Sequence, residues 1–377
     1  MAISGQATNE ATARYRDRFR GDGAATTAAE GHFRLEQNLW LSSIGIGTYL
    51  GKWDEATDSR YTDAVVSAVE HGANVIDTAA NYRFQRSERS IGAALRRLTE
   101  GDGHTFSRHE LVICTKGGYL PFDGEPTRDV RAYVEETFVR PGIVDFSDIA
   151  AGSHCMTPRY LQNQLEQSLR NMGLESVDVY YIHNPETQLS VVSRAEFDAR
   201  LRAAFEQLEM HAAEGKIGRY GVATWNGFRV APDAKSYHSL ERMVELAREV
   251  GGENHGFRFV QLPFNLAMPE ALVLDNQSLQ GARISLLEAA RALGVTVVAS
   301  ASILQGKVAQ DLPAHVREPL GSLATDAQTA IQFVRSTPGI TTALVGMSRR
   351  EHVEENLQLA RIAPAVPDDY QRLFTQE

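Results

Sequence analysis

GANVIDTAANY, residues Gly72 to Tyr82, is the stretch on which the reading of this chain turns. NVI is a short apolar strand ending on a carboxylate, Asp77; the small-residue turn TAAN then presents Tyr82, and a helix pattern, SERSIGAALRRL, begins at Ser87. An acid at the carboxyl end of a buried strand, with a phenol one turn later, aims two titratable groups into one pocket. Taken alone, the pair fits equally an Asp that caps a turn and a loop Tyr that packs its amphipathic ring. The surrounding pattern has to decide.

Outward from this stretch, short β-branched runs alternate with helix-length segments carrying apolar residues at i, i+3 and i+4. Strands are predicted at 43–49, 74–78, 111–116, 177–183, 217–224, 257–264, 295–301 and 341–347. Helices are predicted near 58–71, 86–99, 157–172, 194–214, 236–250, 281–293, 324–335 and 349–360. Gly and Asn punctuate them in the manner of caps, as in EHGAN, RNMGLES and RALGV. Strands each followed by a helix, to this number, predict a closed (β/α)8 TIM barrel, with a doubly wound sheet as the rival. Ahead of the barrel, residues 1–30 are polar and Ala/Gly-rich, with the loop-like GDGAATTAAEG, and read as a poorly ordered or surface-lying extension. Residues 31–377 then read as one barrel, opened by an alternating hairpin from His32 to Ser43. Long intervals follow the third, fifth and sixth strands, at 117–157, 226–235 and 265–280; all leave carboxyl ends, so they are expected to wall or cover a pocket there.

The totals narrow the function classes. A net charge of -10 argues against a nucleic-acid partner, because phosphate binding needs clustered Lys and Arg. The longest apolar runs, such as VTVVASASIL, are about ten residues and too short to span a bilayer, so no membrane partner is expected. The opening MAISGQATNEATARYRDRF lacks the apolar core of a secretory signal. Cys114 and Cys155 have no metal-ligand spacing; no metal is expected, and Cys114 in the run LVICT reads as a buried thiol. Together these features predict a cytoplasmic setting. Oligomeric state is not encoded in any pattern of the chain.

The strand ends carry the chemistry. GIGTYLG, Gly45 to Gly51, is spaced GxGxxxG rather than GxGxxG and has no helix start behind it, so it is not a dinucleotide fingerprint. The third strand ends in Lys116, an unusual place for a charge without a partner. The fourth ends in His183, which alone would read as a satisfied structural residue. In a barrel, Asp77, Lys116 and His183 open onto one face with Tyr82 just above. A free Tyr titrates near about 10 and is a poor acid at neutral pH. A neighbouring Lys116 ammonium is expected to lower that value, with Asp77 holding the lysine charged and His183 positioning a substrate oxygen. This set suits acid-catalysed carbonyl reduction, and since none of the four is a hydride source, a nicotinamide cofactor is implied.

In order along the chain, GIGTY at the first strand, DTAANY with SERSIGAAL behind it, TK ending the third strand and IH ending the fourth resemble the motifs of the aldo-keto reductase family, over roughly Ser43 to Ala360. The resemblance implies a (β/α)8 barrel that binds NADP(H), with NAD(H) as the alternative, in an extended pose without a Rossmann fold. It implies a catalytic tetrad of Asp77, Tyr82, Lys116 and His183. It places Gly47, Thr48, Tyr49 and Asp77 near the nicotinamide ribose, and Thr224, Trp225 and Gln261 near the carboxamide. Ser300, Ala301, Ile303, Gln305 and Gly306, within SASILQG, fall over the pyrophosphate. Gly346, Ser348, Arg349, His352, Glu355 and Asn356 fall around the adenosine and its 2′-phosphate.

The chain departs from the family pattern at three of these places. Ala223-Thr224 stands where Ser-Asn is usual, Ser300 where an aromatic often stacks, and Gly346 where many members carry a lysine. Ser348, Arg349 and His352 are left to receive a 2′-phosphate. The long carboxyl-terminal loop of some members is not seen, and Tyr119, Phe122, Tyr133 and Phe138 of the 117–157 interval are expected to shape the substrate pocket instead. The implied activity is reduction of an aldehyde, ketone or sugar-like carbonyl, acting on a small-molecule carbonyl or alcohol. The competing readings are a cofactor-binding regulatory or interaction subunit, and a lyase or epimerase using bound nicotinamide.

Overall fold

Period-two strands, buried on both faces, need helices outside and side chains within, and this chain supplies both. A computed structural model describes residues 1–20, 27–100 and 105–374. Two strands, β1 (Phe33–Glu36) and β2 (Leu39–Ser42), form an antiparallel hairpin. The barrel strands are β3 (Ile44–Gly47), β4 (Val75–Asp77), β5 (Val112–Gly117), β6 (Val177–His183), β7 (Ile217–Ala223) and β8 (Phe257–Pro263). A second hairpin, β9 (Gln277–Leu279) and β10 (Ala282–Ile284), interrupts the series before β11 (Thr296–Ser300) and β12 (Ile340–Gly346) complete it. Among the described residues the barrel closes in the order β3-β4-β5-β6-β7-β8-β11-β12, all neighbours parallel. The (β/α)8 expectation therefore holds, and the doubly wound rival does not.

The helices begin and end where local chemistry says they should. Asp54, Ser193, Ser239 and Thr325 each accept a backbone N–H of the first turn, and Ser285 forms a capping box with Glu288. Gly173 ends its helix at φ 66°, a left-handed geometry that glycine adopts without penalty. None of the described helices is long and apolar enough to cross a membrane.

Two cores result. Between strands and helices lies a large apolar layer that includes Ile46, Ile76, Ile113, Tyr180, Val222 and Val260. Inside the barrel, Val75, Val112, Cys114, Val179, Tyr181, Phe259, Val298 and Leu344 pack together, and Leu41 of the first hairpin joins them. Both cysteines are buried free thiols.

The register then decides what the top of the barrel carries. Side chains alternate along a strand, so two residues beyond each interior position another side chain points inward. Two beyond Val75, Cys114, Tyr181, Phe259, Val298 and Leu344 stand Asp77, Lys116, His183, Gln261, Ser300 and Gly346. Strand pairing aligns these ends: Gly47 with Asp77, His183 with Ala223, Ala223 with Gln261, and Gly346 with Gly47.

The amino-terminal segment carries a helix that the sequence reading did not place. Residues Asn9–Arg18 form a helix that buries Tyr15, whose hydroxyl donates to the Val69 carbonyl at 2.6 Å. Ala7 N–H donates to Asp178 at 2.6 Å, and that buried carboxylate also receives Arg108 at 2.8 Å and Ile113 N–H at 2.7 Å. The segment reads as polar because, within residues 1–20, only Ile3, Ala11, Thr12, Tyr15 and Phe19 are buried. Of GDGAATTAAEG, residues 21–26 lie outside the described residues. At the base, Arg34 of β1 donates to the carbonyls of Arg335, Ile340 and Thr341, and Asn74 ties the hairpin to β4 by accepting Ser42 N–H at 2.9 Å.

Candidate active site

The end of β4 and the end of β5 meet in a buried ion pair. Lys116 Nζ stands 2.6 Å from Asp77 Oδ2 and donates to the Thr78 carbonyl at 2.7 Å. The lysine side chain is 0% exposed and the carboxylate 5%, so each charge depends on the other. Gln261 Nε2 donates to the second carboxylate oxygen at 2.8 Å. Burial alone would lower the pKa of Lys116, but Asp77 and Tyr82 outweigh it and hold the ammonium above its ordinary value.

Tyr82 lies over this pair, its ring centroid 4.9 Å from Lys116 Nζ. The turn behind it is strained: Arg83, Phe84 and Gln85 all have positive φ, at 49°, 57° and 70°. Side chains hold it in place. Arg83 binds Asp58 and the Lys52 carbonyl, while Gln85 donates to the Phe122 carbonyl at 3.1 Å and accepts from Asn171 at 3.0 Å. Burial raises the Tyr82 pKa and Lys116 opposes it, with the net direction upward. Lys116 thus acts in the expected, lowering direction, but the desolvation of the phenol, invisible until the fold buries it, is larger.

His183, at the end of β6, presents its ring 5.8 Å from that of Tyr82 at 77°. Burial, with Lys116 and His154 nearby, pushes its pKa well below the ordinary histidine value, so the imidazole is neutral at physiological pH. Its buried Nδ1 has no hydrogen-bond partner among the described residues. Glu186, three residues on, ties two strand ends together. Its Oε1 accepts the Thr224 hydroxyl at 2.7 Å, Trp225 N–H at 2.9 Å and Asn226 N–H at 3.0 Å. Burial would raise the Glu186 pKa; His238 and these donors overcome it and bring it to about 2.

Above this floor runs a cleft of about 380 Å³, lined by residues at or beyond the ends of every barrel strand except β5. Of the residues singled out from sequence, Gly47, Thr48, Tyr49, Asp77, Tyr82, His183, Thr224, Trp225, Gln261, Ser300, Ala301, Ile303, Gln305, Gly306, Gly346, Ser348 and His352 line it. Lys116 lies beneath the floor. Arg349, Glu355 and Asn356 do not line it: Arg349 is exposed at the start of the helix Arg350–Leu357, Glu355 accepts the Thr325 hydroxyl at 2.7 Å, and Asn356 is buried. Thr224 borders the cleft with its hydroxyl spent, since it donates to Glu186 and accepts Gly227 N–H at 2.8 Å.

The 117–157 interval also departs from expectation, because no residue of it lines the cleft. Phe122, Tyr133 and Phe138 form an aromatic train leading from Phe84 to Tyr160, away from the opening. Of the four aromatics, only Tyr119 has its ring against a residue of the site, 5.1 Å from that of His183. Sequence reading missed Glu186, His154 and Asn184. For Glu186 the usable signal was an acid one residue past the Asn-Pro that follows a strand-ending histidine.

The "Aldo/keto reductase family" model matches residues 43–374. A D-threo-aldose 1-dehydrogenase from a Pseudomonas species is 27% identical over 188 residues, an alignment spanning 49% of this chain and 51% of that one. The prostaglandin-E(2) 9-reductase of Oryctolagus cuniculus is 22% identical over 88% of this chain and 84% of its own. A putative voltage-gated potassium channel subunit beta of Schizosaccharomyces pombe is 23% identical over 86% of each. Among solved structures, an aldo/keto reductase from Klebsiella pneumoniae in complex with NADP and acetate has a TM-score of 0.60 at 20% identity, covering 92% of this chain and 94% of that one.

Proposed function

The chain belongs to the aldo/keto reductase family, and on that premise we propose that it is an NADP(H)-dependent oxidoreductase reducing the carbonyl of a small aldehyde, ketone or sugar-like molecule. The observation that carries the reading is the fully buried Lys116–Asp77 pair at 2.6 Å directly beneath Tyr82, a costly arrangement that packing does not require.

In this reading Tyr82 is the general acid. Its phenol is protonated at neutral pH, and Lys116, which opposes the rise that burial imposes, eases delivery of that proton to the carbonyl oxygen. Lys116 stabilises the phenolate left behind, and Asp77, braced by Gln261, keeps Lys116 charged and aimed. His183, neutral, hydrogen-bonds the carbonyl oxygen and orients it. Among the described residues no Lys or Arg lines the cleft, which favours an uncharged substrate over a carboxylate.

The residues present fit a dinucleotide. Gly47 and Gly346 remove side chains from two neighbouring strand ends, and the loop Ser300–Gly306 borders the length of the cleft. Beyond it, the helix Arg350–Leu357 begins without a side-chain cap, and Arg349 has no ion-pair partner among the described residues. A helix start beside an unpaired guanidinium suits a phosphate, which supports NADP(H) over NAD(H). The Klebsiella relative's structure holds NADP. When bound, the cofactor supplies the hydride to the carbonyl carbon. The Thr224 hydroxyl is committed elsewhere, so Gln261 carries more of the carboxamide contact than the family pattern suggests.

A second reading, a cofactor-binding regulatory subunit, is favoured by the channel-subunit relative. Fluorescence titration with NADPH and NADH, followed by a panel of aldehydes and ketones, separates the two. Binding with turnover that Tyr82→Phe abolishes, at nearly unchanged nucleotide affinity, supports the reductase. Binding without turnover of any carbonyl supports the subunit, and no binding at millimolar nucleotide sinks both.

A further inference from the structure

The 117–157 interval contributes nothing to the cleft wall, yet its neck stands directly behind His183. Bridges pair Tyr119 with His154 and Ala150 with His154, and Leu120 N–H donates to the Ser153 carbonyl at 2.8 Å. His154 is fully buried there. Its Nε2 is 2.7 Å from the His183 carbonyl oxygen and its Nδ1 is 2.9 Å from Gln188 Nε2. A carbonyl only accepts and an amide nitrogen only donates, so both neighbours demand the same neutral tautomer, with hydrogen on Nε2. The orientation of the Gln188 amide is itself fixed, because its oxygen accepts from Arg200 at 2.7 Å and a guanidinium only donates.

The clamp continues into the ring. Tyr119 lies edge-on to both imidazoles, 5.1 Å from His183 and 5.3 Å from His154, and its hydroxyl accepts from Asn184 at 3.1 Å. With Tyr82 at 5.8 Å, the His183 ring has a phenol edge-on at two points. Gly118 makes the approach possible, since a Cβ there would stand 2.6 Å from the His183 carbonyl oxygen and 2.9 Å from His154 Nε2.

We propose that His154 is a positioning residue, which through the His183 carbonyl and Tyr119 sets the orientation of the His183 imidazole in the cleft. This rests on the reading of His183 as the group that orients the substrate carbonyl. Burial keeps His154 neutral, with a pKa of about 4, so the donor is in place across the physiological range.

The test uses two isosteres in the full chain. In His154→Gln the amide nitrogen reaches the place of Nε2 and keeps the donor; in His154→Asn it reaches only the place of Nδ1 and loses it. Long-range 1H–15N spectra of the cofactor-free, 15N-labelled protein, with His183 assigned by its own substitution, are expected to show His183 ring signals displaced in the Asn variant and restored in the Gln variant. Carbonyl reduction is expected to fall about ten- to a hundredfold in kcat for Asn and to recover for Gln, with the Kd for NADPH unchanged. Unmoved His183 signals in the Asn variant, or Gln and Asn variants that behave alike, would overturn the proposal and leave His154 a packing residue. If the wild-type protein reduces no carbonyl while the His183 signals still follow the donor, the positioning role stands and the reductase reading falls.

Discussion

Asp77→Asn is the most informative single change to the site, because it keeps the shape of the residue and removes its charge. Lys116, whose side chain is 0% exposed, would retain the Thr78 carbonyl at 2.7 Å and the Tyr82 ring as its neighbours. Stripping one partner from a buried ion pair costs about 3–5 kcal/mol. That is a large part of a total stability on the order of 5–15 kcal/mol. The pH dependence has a definite sign. In the wild-type protein the Lys116 pKa is raised, so its stabilising contribution is fully present below the ordinary lysine value and is lost only as pH rises through the higher folded value. Without Asp77, burial acts almost unopposed and favours the neutral amine, so Lys116 releases its proton at lower pH and the penalty shrinks as pH rises toward the ordinary lysine value. Urea unfolding followed by circular dichroism measures this as a shift in midpoint at constant slope. Lys116→Met and the double variant complete a cycle in which the double change costs less than the two singles combined, by up to about 3 kcal/mol. A penalty below about 1 kcal/mol, no worse than a surface pair, or strict additivity, would refute the account of the pair as mutually dependent charges.

Gly221→Ala is expected to destabilise the barrel by about 3 kcal/mol or more, because its Cβ would collide with the carbonyl oxygen of Phe259 on the next strand; a midpoint unchanged in urea would contradict this. Acid unfolding should begin early. His32, buried between Ser43 and the Gly72 carbonyl, has its pKa lowered from 6.5 to about 3, so its contribution is complete above 6.5 and is lost as pH falls toward 3. Glu186, lowered from 4.5 to about 2, adds a second loss below 4.5, which Glu186→Gln should flatten in a pH series of unfolding midpoints. Arg349→Ala should weaken NADPH binding by about tenfold or more and leave NADH binding unchanged, as read by fluorescence titration; equal losses for both nucleotides would remove the guanidinium from the phosphate site.

The barrel was legible because its strands are β-branched runs of the right length and its helices carry capping signals; His183 ends β6 at the residue expected from VDVYYIH. Lys116 was legible for a different reason: a charge at the end of an apolar strand asks for a partner, and Asp77 was the one to hand. What escaped is what depends on distance rather than order. Nothing in the sequence marks His154, in a loop 29 residues before His183, as the donor to its carbonyl. The Thr224 hydroxyl looked available to a cofactor until Glu186 was seen to hold it. The direction of the Tyr82 pKa turned on burial, which residue types alone do not give. The helix Asn9–Arg18 was missed because its outer face is so polar that its three inward residues, Ala11, Thr12 and Tyr15, do not register as a pattern.

The base of the barrel also sets a timetable. Ala7 meets Asp178 across 171 residues, and Arg34 meets the Thr341 carbonyl across 307. A ribosome adding roughly 5–20 residues per second needs about 15–60 s to make the distance from Arg34 to its partner. Over that interval the first hairpin, a two-stranded unit of marginal stability by itself, has no floor to plug, and Leu41 has no barrel interior to enter. The residues made earliest are thus among the last to be locked in place.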